Sequence, residues 1–206
     1  MDQPLTLLFD FRDPYSYLAL EPTFALVDDL GIASRCEVLL IPQPKAPREP
    51  AADADRGTWH RWHRGRYQEM DVRRYMESRG LPLQRIDAGG WYTPTAARVA
   101  AQGSAWLSAH QPDSQRAYLQ AVFSGYWRAE LSLDSVEDVS LVMKALGADP
   151  QRFAAYLQGP GPAALDAQQK VLGEQGYFNV PAYLVGAEVY YGRQHLPLIR
   201  RQLLAA

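Results

Sequence analysis

The sequence predicts an α/β fold in which a β-α-β opening and a β-β-α close form one sheet unit, split by a large all-helical insertion. Three observations carry this reading. Leu5 to Phe11 and Cys36 to Ile41 are apolar, strand-like runs on either side of a helical stretch. From Thr58 to about Gly176 the periodicity is helical almost throughout. After Gly176 the pattern returns to short strands, Pro181 to Val185 and Glu188 to Tyr191, spaced like a hairpin around Gly186-Ala187. Residues 1–45 and 177–206 then build the split sheet domain, and residues 46–176 form the inserted helical domain with a Pro-rich connecting loop.

Each element has its own signal. The first strand stops at Asp13-Pro14, and YSYLALEPTFALVDDL follows as a helix closed by Gly31. Asp is a preferred N-cap, and Pro suits the first helical position because its missing N–H would have no helical partner there. Pro22 inside this helix predicts a kink or break about two turns in. A crossover helix between the first two strands makes them parallel. Four prolines between Ile41 and Arg56 mark a connecting loop. Helices are predicted over Trp59–Arg79, Thr93–Ala109, Ser114–Trp127, Ser135–Leu146, Pro150–Leu157 and Ala163–Gln175. Asp134, with Glu137 three residues on, is read as an N-cap in a capping-box variant. Thr93-Pro94 and Asp149-Pro150 are read as helix starts, and Gly80, Gly147 and Gly176 as helix-closing glycines. His195 to Leu204 closes the chain as an amphipathic helix with Leu196, Ile199 and Leu203 on one face.

Composition narrows the function classes. A net charge of −2 gives no electrostatic footprint for nucleic acid or an anionic membrane. No apolar run reaches the ~18 residues of a membrane span. The stretch MDQPLTLLFDF has an acid where a leader needs basic residues, so no targeting segment is read. One cysteine, Cys36, excludes an internal disulfide and a paired-thiol motif, and agrees with a reducing, cytoplasmic setting. Within its apolar strand Cys36 reads as a small buried hydrophobe. In WHRWHRGRY, His60 and His63 lack a third ligand and are not read as a metal site. Two readings of that stretch stay open. One is a solvated helix face with its tryptophans packed inward; the other places Arg61, Arg64 or Arg66 at a cleft, binding the carboxylate of an acidic substrate.

Four segments, in order, carry a family resemblance over nearly the whole chain. FDFRDPYSYLA resembles the first strand and Ser-Pro-(Tyr/Phe)-Ser-Tyr-Leu-Ala turn of the 2-hydroxychromene-2-carboxylate isomerase and kappa-class glutathione transferase group of the DsbA-like superfamily. GYFNVPAYLVGAEVYYGRQHL resembles that group's Gly-Val-Phe-Gly-Val-Pro segment, hairpin and last-helix start. RYQEMDVRRYMESRGLPL and FSGYWRAELSLDSVEDV resemble its helical domain. The resemblance implies a thioredoxin-like fold with an inserted helical domain, a homodimer, and glutathione as cofactor. It also implies reversible thiol addition to a small aromatic or conjugated carboxylate.

The same resemblance points to site residues. In the family, the first serine of the turn donates a hydrogen bond to the glutathione sulfur and lowers its pKa. Asp13 holds that position here. A carboxylate at a helix N-terminus is favoured in its charged form, and a charged carboxylate cannot donate. Three roles are open: Asp13 as a plain N-cap, Asp13 as a general base, or Ser16 taking over the bond to sulfur. Tyr15 lies between them and belongs with the binding residues. The resemblance implies a cis-Pro181, with the Val180 backbone pairing with the cysteinyl part of the ligand. It further implies that Arg193 and Gln194 hold the γ-glutamyl end, although the family has Asp where Gln194 stands. A disulfide oxidoreductase is excluded, because the turn holds no cysteine. The first functional reading is a glutathione-linked isomerase or transferase; the second is a binding protein that keeps the groove without thiol chemistry.

Overall fold

A computed structural model describes residues 5–205 of the chain; residues 1–4, part of the stretch read as lacking a leader, lie outside them. Four strands form one sheet in the order β2-β1-β3-β4. β1 (Leu5–Phe9) pairs parallel with β2 (Ser34–Val38), with Leu7 opposite Cys36. β3 (Ala182–Val185) runs antiparallel to β1, with Tyr183 opposite Leu7, and forms the expected hairpin with β4 (Glu188–Tyr191). β1 is central and covered on both faces, so Leu5, Leu7, Leu8 and Phe9 are all buried. Alternation splits them between two clusters. Leu8 packs with Leu172, Val180 and Ala182, whereas Leu5, Leu7 and Phe9 join the main core.

The sheet unit also holds α1 (Pro14–Leu30) and α9 (Leu196–Ala205). Between β2 and β3 run α2 (Arg56–Ser78), α3 (Gln84–Asp87), α4 (Arg98–His110), α5 (Pro112–Trp127), α6 (Val136–Ala145), α7 (Pro150–Gln158) and α8 (Gly161–Glu174). Strand and helix side chains share the main core. Phe123 of α5 stacks on Tyr17 of α1 at 5.3 Å and meets Phe11 at 4.9 Å. Phe11 lies beyond β1, which ends at Phe9, and β2 ends at Val38 rather than Ile41. Among the described residues no helix is long and apolar enough to cross a membrane.

Three local expectations are corrected by long-range partners. Pro22 does not break α1, which is continuous from Pro14 to Leu30. A proline has no N–H, so the Leu18 carbonyl one turn earlier loses its helical donor. Arg79, at the end of α2, donates to that carbonyl at 2.7 Å. Asp134 does not cap α6; Ser135 does, its Oγ accepting from the Asp138 N–H at 3.1 Å. The Asp134 carboxylate instead caps α4, accepting from the N–H groups of Ala96, Ala97 and Arg98 and from the Thr95 hydroxyl. α4 accordingly starts at Arg98, not Thr93, after Ala97 turns left-handed at φ +55°. Asp149 does cap α7, with Pro150 first in the helix.

Candidate active site

The turn after β1 is organised by a buried ion pair. Asp10 and Arg12 are both buried, and Arg12 grips the Asp10 carboxylate through Nε and Nη2, the latter at 2.6 Å. The remaining Arg12 donors reach the Thr95 and Ile41 carbonyls, and Asp10 also accepts from the Ile41 N–H. This network ties β1 to the loop after β2 and to the approach to α4. It fixes the turn in which the Asp13 N–H donates to the Asp10 carbonyl at 3.0 Å.

Asp13 then caps α1. Its Oδ2 accepts from the Ser16 N–H at 2.6 Å and the Ser16 hydroxyl at 2.8 Å. Ser16 is fully buried, and its Oγ also accepts from the Asp10 N–H at 3.3 Å. Its one hydroxyl proton is therefore committed to Asp13, so any effect of Ser16 on a ligand passes through Asp13. The helix start favours the charged form of this carboxyl, but burial acts against it. Burial pushes the Asp13 carboxyl up to about 7, against the lowering effect of the Ser16 bonds, and nearby Asp10 adds to the rise. Desolvation outweighs the helix start.

Beside this turn lies a cleft of about 630 Å³. Tyr15 lines it from the start of α1, together with Val180 and Pro181 from the turn before β3. Gly192, Arg193 and Gln194 line it from the segment before α9. Asp13 and Ser16 are not among its lining residues. The Val180–Pro181 peptide is cis. Among the described residues, neither the Val180 N–H nor its C=O takes part in a backbone hydrogen bond, whereas the Pro181 carbonyl accepts from Gly192 at 2.8 Å. Val180, just ahead of β3, thus brings a backbone without backbone partners to the cleft lining. Gln194 is turned back on its own backbone: its side-chain amide donates to the Tyr191 carbonyl at 3.0 Å, across the left-handed Gly192.

The facing wall comes from α2. Tyr67, Asp71, Tyr75 and Arg79 line the cleft at strict four-residue intervals, one stripe down a single helix face. Arg193 lies 4.1 Å over the Tyr75 ring. The cleft cations are therefore Arg79 and Arg193. Arg61, Arg64 and Arg66 do not line it; Arg61 donates to Thr58 at 2.8 Å, and Arg66 pairs with Glu69 at 3.0 Å. Trp59 and Trp62 are half-buried and pack edge-to-face on one another instead of entering the core. Burial raises the Tyr15 phenol far above its ordinary value, with Asp71 and Asp13 adding to the rise and Arg193 opposing it. Its hydroxyl therefore stays protonated near neutrality. Cys36 is buried away from the cleft, and burial pushes its thiol up to about 12.

The stripe of α2 and the Asp10–Arg12 pair were not anticipated. The four-residue spacing of Tyr67, Asp71, Tyr75 and Arg79 was the available signal for the first. For the second it was the Asp-x-Arg at the end of an apolar strand.

With this geometry in place, the model of the DSBA-like thioredoxin domain matches residues 5–204, nearly the whole chain. The chain belongs to the DSBA-like thioredoxin domain family. It is 24% identical to 2-hydroxychromene-2-carboxylate isomerase from Pseudomonas putida over 197 residues, covering 91% of this chain and 88% of that protein. Among solved structures it is similar to a 2-hydroxychromene-2-carboxylate isomerase, with a TM-score of 0.69 and 22% identity over 98% of this chain and 94% of that one. It also resembles the cytosolic disulfide reductase DsbM from Pseudomonas aeruginosa with GSH, with a TM-score of 0.63 and 15% identity over 98% and 97% of the two chains. The α/β architecture is thus that of a DsbA-like thioredoxin fold, and isomerases are among its homologues.

Proposed function

We propose that the protein is a glutathione-linked isomerase acting on a small aromatic or conjugated carboxylate. One observation carries the reading: Tyr15 of the turn before α1, the unpaired Val180 backbone and two arginines all line the same cleft. A backbone N–H and C=O without backbone partners beside a strand suit an extended peptide, which can pair with them as an added strand. Arg79 and Arg193 suit carboxylates, which a planar guanidinium binds through paired donors. The residues present therefore fit a thiol tripeptide carrying two carboxylates. When bound, glutathione supplies a thiol that adds reversibly to conjugated carbonyl compounds.

Asp13 takes the proton-handling role in this reading. A carboxyl held at about 7 is present in both forms at neutral pH. Such a carboxyl can accept a thiol proton when charged and donate a hydrogen bond when protonated; Asp13 stands behind Tyr15, which lines the cleft. Ser16 holds Oδ2 in place for both duties. Tyr15, protonated throughout, offers its hydroxyl to the cleft.

The test combines calorimetry at millimolar glutathione with an absorbance assay of 2-hydroxychromene-2-carboxylate isomerisation. Glutathione-dependent turnover is expected, with a pH profile that bends near 7. In the Asp13→Ser variant that bend should vanish. Absence of any heat or thermal shift with glutathione in the native protein would refute the proposal. Binding without turnover on any conjugated carboxylate would favour the groove-only binding protein instead.

A further inference from the structure

A glutathione site must accommodate one ammonium as well as two carboxylates, and the segment before α9 offers the ammonium nothing acidic. The Gln194 amide is spent on the Tyr191 carbonyl. Among the residues lining the cleft, one is acidic: Asp71, on the opposite wall. Its side chain is 18% exposed, and its ion-pair partner is Arg74 at 3.6 Å, whose own side chain is 60% exposed. So loose a pair at the surface holds little energy and leaves the carboxylate available.

The arrangement of charges along α2 fits a peptide laid end to end. Asp71 and Tyr75 are one turn apart, and Tyr75 carries the Arg193 guanidinium on its ring. Through Tyr75, the Arg193 guanidinium stands one helical turn from Asp71, so an anion and a cation neighbour one another on the cleft lining. Arg79 lies eight residues beyond Asp71 on the same face, about 12 Å along the helix axis. An extended tripeptide spans about 10 Å.

We propose that Asp71 is the ammonium-binding carboxylate of the cleft, supplied by the inserted helices rather than by the sheet unit. Arg193 takes the carboxylate of the same amino-acid end, and Arg79 takes the carboxylate at the far end. This rests on the glutathione reading above. Asp71 positions and selects the ligand; it takes no part in bond making.

The experiment is a binding cycle by calorimetry: native protein and Asp71→Asn, each against glutathione and N-acetylglutathione, in which the ammonium is replaced by a neutral amide. The native protein should prefer free glutathione by about tenfold or more, the scale of a hydrogen bond between charged groups. Asp71→Asn should lose that preference and bind N-acetylglutathione as the native protein does, which also reports an intact cleft. Asp71→Glu, with the charge retained, should keep most of the preference, and it serves as the second variant should the asparagine fail to fold. If the native protein binds both ligands equally, or the preference survives in Asp71→Asn, the Asp71 assignment is overturned while the glutathione reading stands. If the native protein binds neither, both fall.

Discussion

The turn at Asp10 to Ser16 and the α2 wall are both rich in polar side chains, yet they are built on opposite plans. In the turn Asp10 and Arg12 are buried and Asp13 is half-buried, and hydrogen bonds bind them to their neighbours and to the backbone. Arg12 serves three partners, the Asp10 carboxylate accepts from Arg12 and Ile41, and Asp13 and Ser16 are committed to each other. On the wall, Tyr67 is exposed, Asp71 is loosely paired, and Arg79 spends one donor on Leu18 with others in reserve. Closed networks fix geometry and shift pKa values, while open groups recognise ligands. The closed turn reaches the cleft through Tyr15, and the open groups of α2 line it from the other side.

The largest test of this contrast is the buried pair. Arg12→Met leaves the Asp10 carboxylate buried without its counter-charge and removes the ties to Thr95 and Ile41. Removing one partner of a buried pair costs about 3–5 kcal/mol, to be read from urea denaturation. Asp71→Asn, on the open wall, should change stability by less than about 0.5 kcal/mol. Comparable losses in the two variants would erase the distinction between closed and open regions.

A smaller effect is expected where the regions are joined. Arg79→Met strands the Leu18 carbonyl in a fully buried residue, at a cost of about 1–3 kcal/mol. Pro22→Ala restores a helical N–H to the same carbonyl, so in that background the loss at Arg79 should shrink. A double-mutant cycle measures the coupling. Additive losses would mean that Arg79 does not compensate for Pro22.

What was legible in the sequence divides along the same line of local against distant partners. Parallel β1 and β2, the β3–β4 hairpin and the Asp149 cap follow from neighbouring residues, and they were read correctly. Asp134 and Ser135 are adjacent and both good caps. Which one serves α6 depends on the start of α4, some 36 residues earlier, and that start takes Asp134. Pro22 reads as a break until Arg79 is folded against it. The basic stretch at Trp59 to Tyr67 is conspicuous in composition, but Arg61 and Arg66 find partners within their own helix. The cleft stripe begins where that stretch ends. Asp13 was legible as a cap of α1. Its ionisation was not, because desolvation is a property of the assembled core and overrides the helix start.

That last point leads to the subtlest measurement, the pH dependence set by Asp13. Folding raises its carboxyl from 3.8 to about 7, so between those values the folded state holds the proton more tightly than the unfolded chain. Stability from this group is therefore fully present below about pH 4 and is lost as pH rises through 7. Asparagine keeps an oxygen that can accept from the Ser16 N–H and has no charge to bury. Relative to the native protein, Asp13→Asn should gain stability steadily from pH 4 to pH 7 and level off above it, as read from midpoints of chemical denaturation. Parallel curves across that window would place the Asp13 carboxyl at its ordinary value. A carboxylate of that kind could cap α1 but could not donate to a sulfur at neutral pH. The turn would then hold the cleft in shape, and the proton chemistry would have to come from elsewhere.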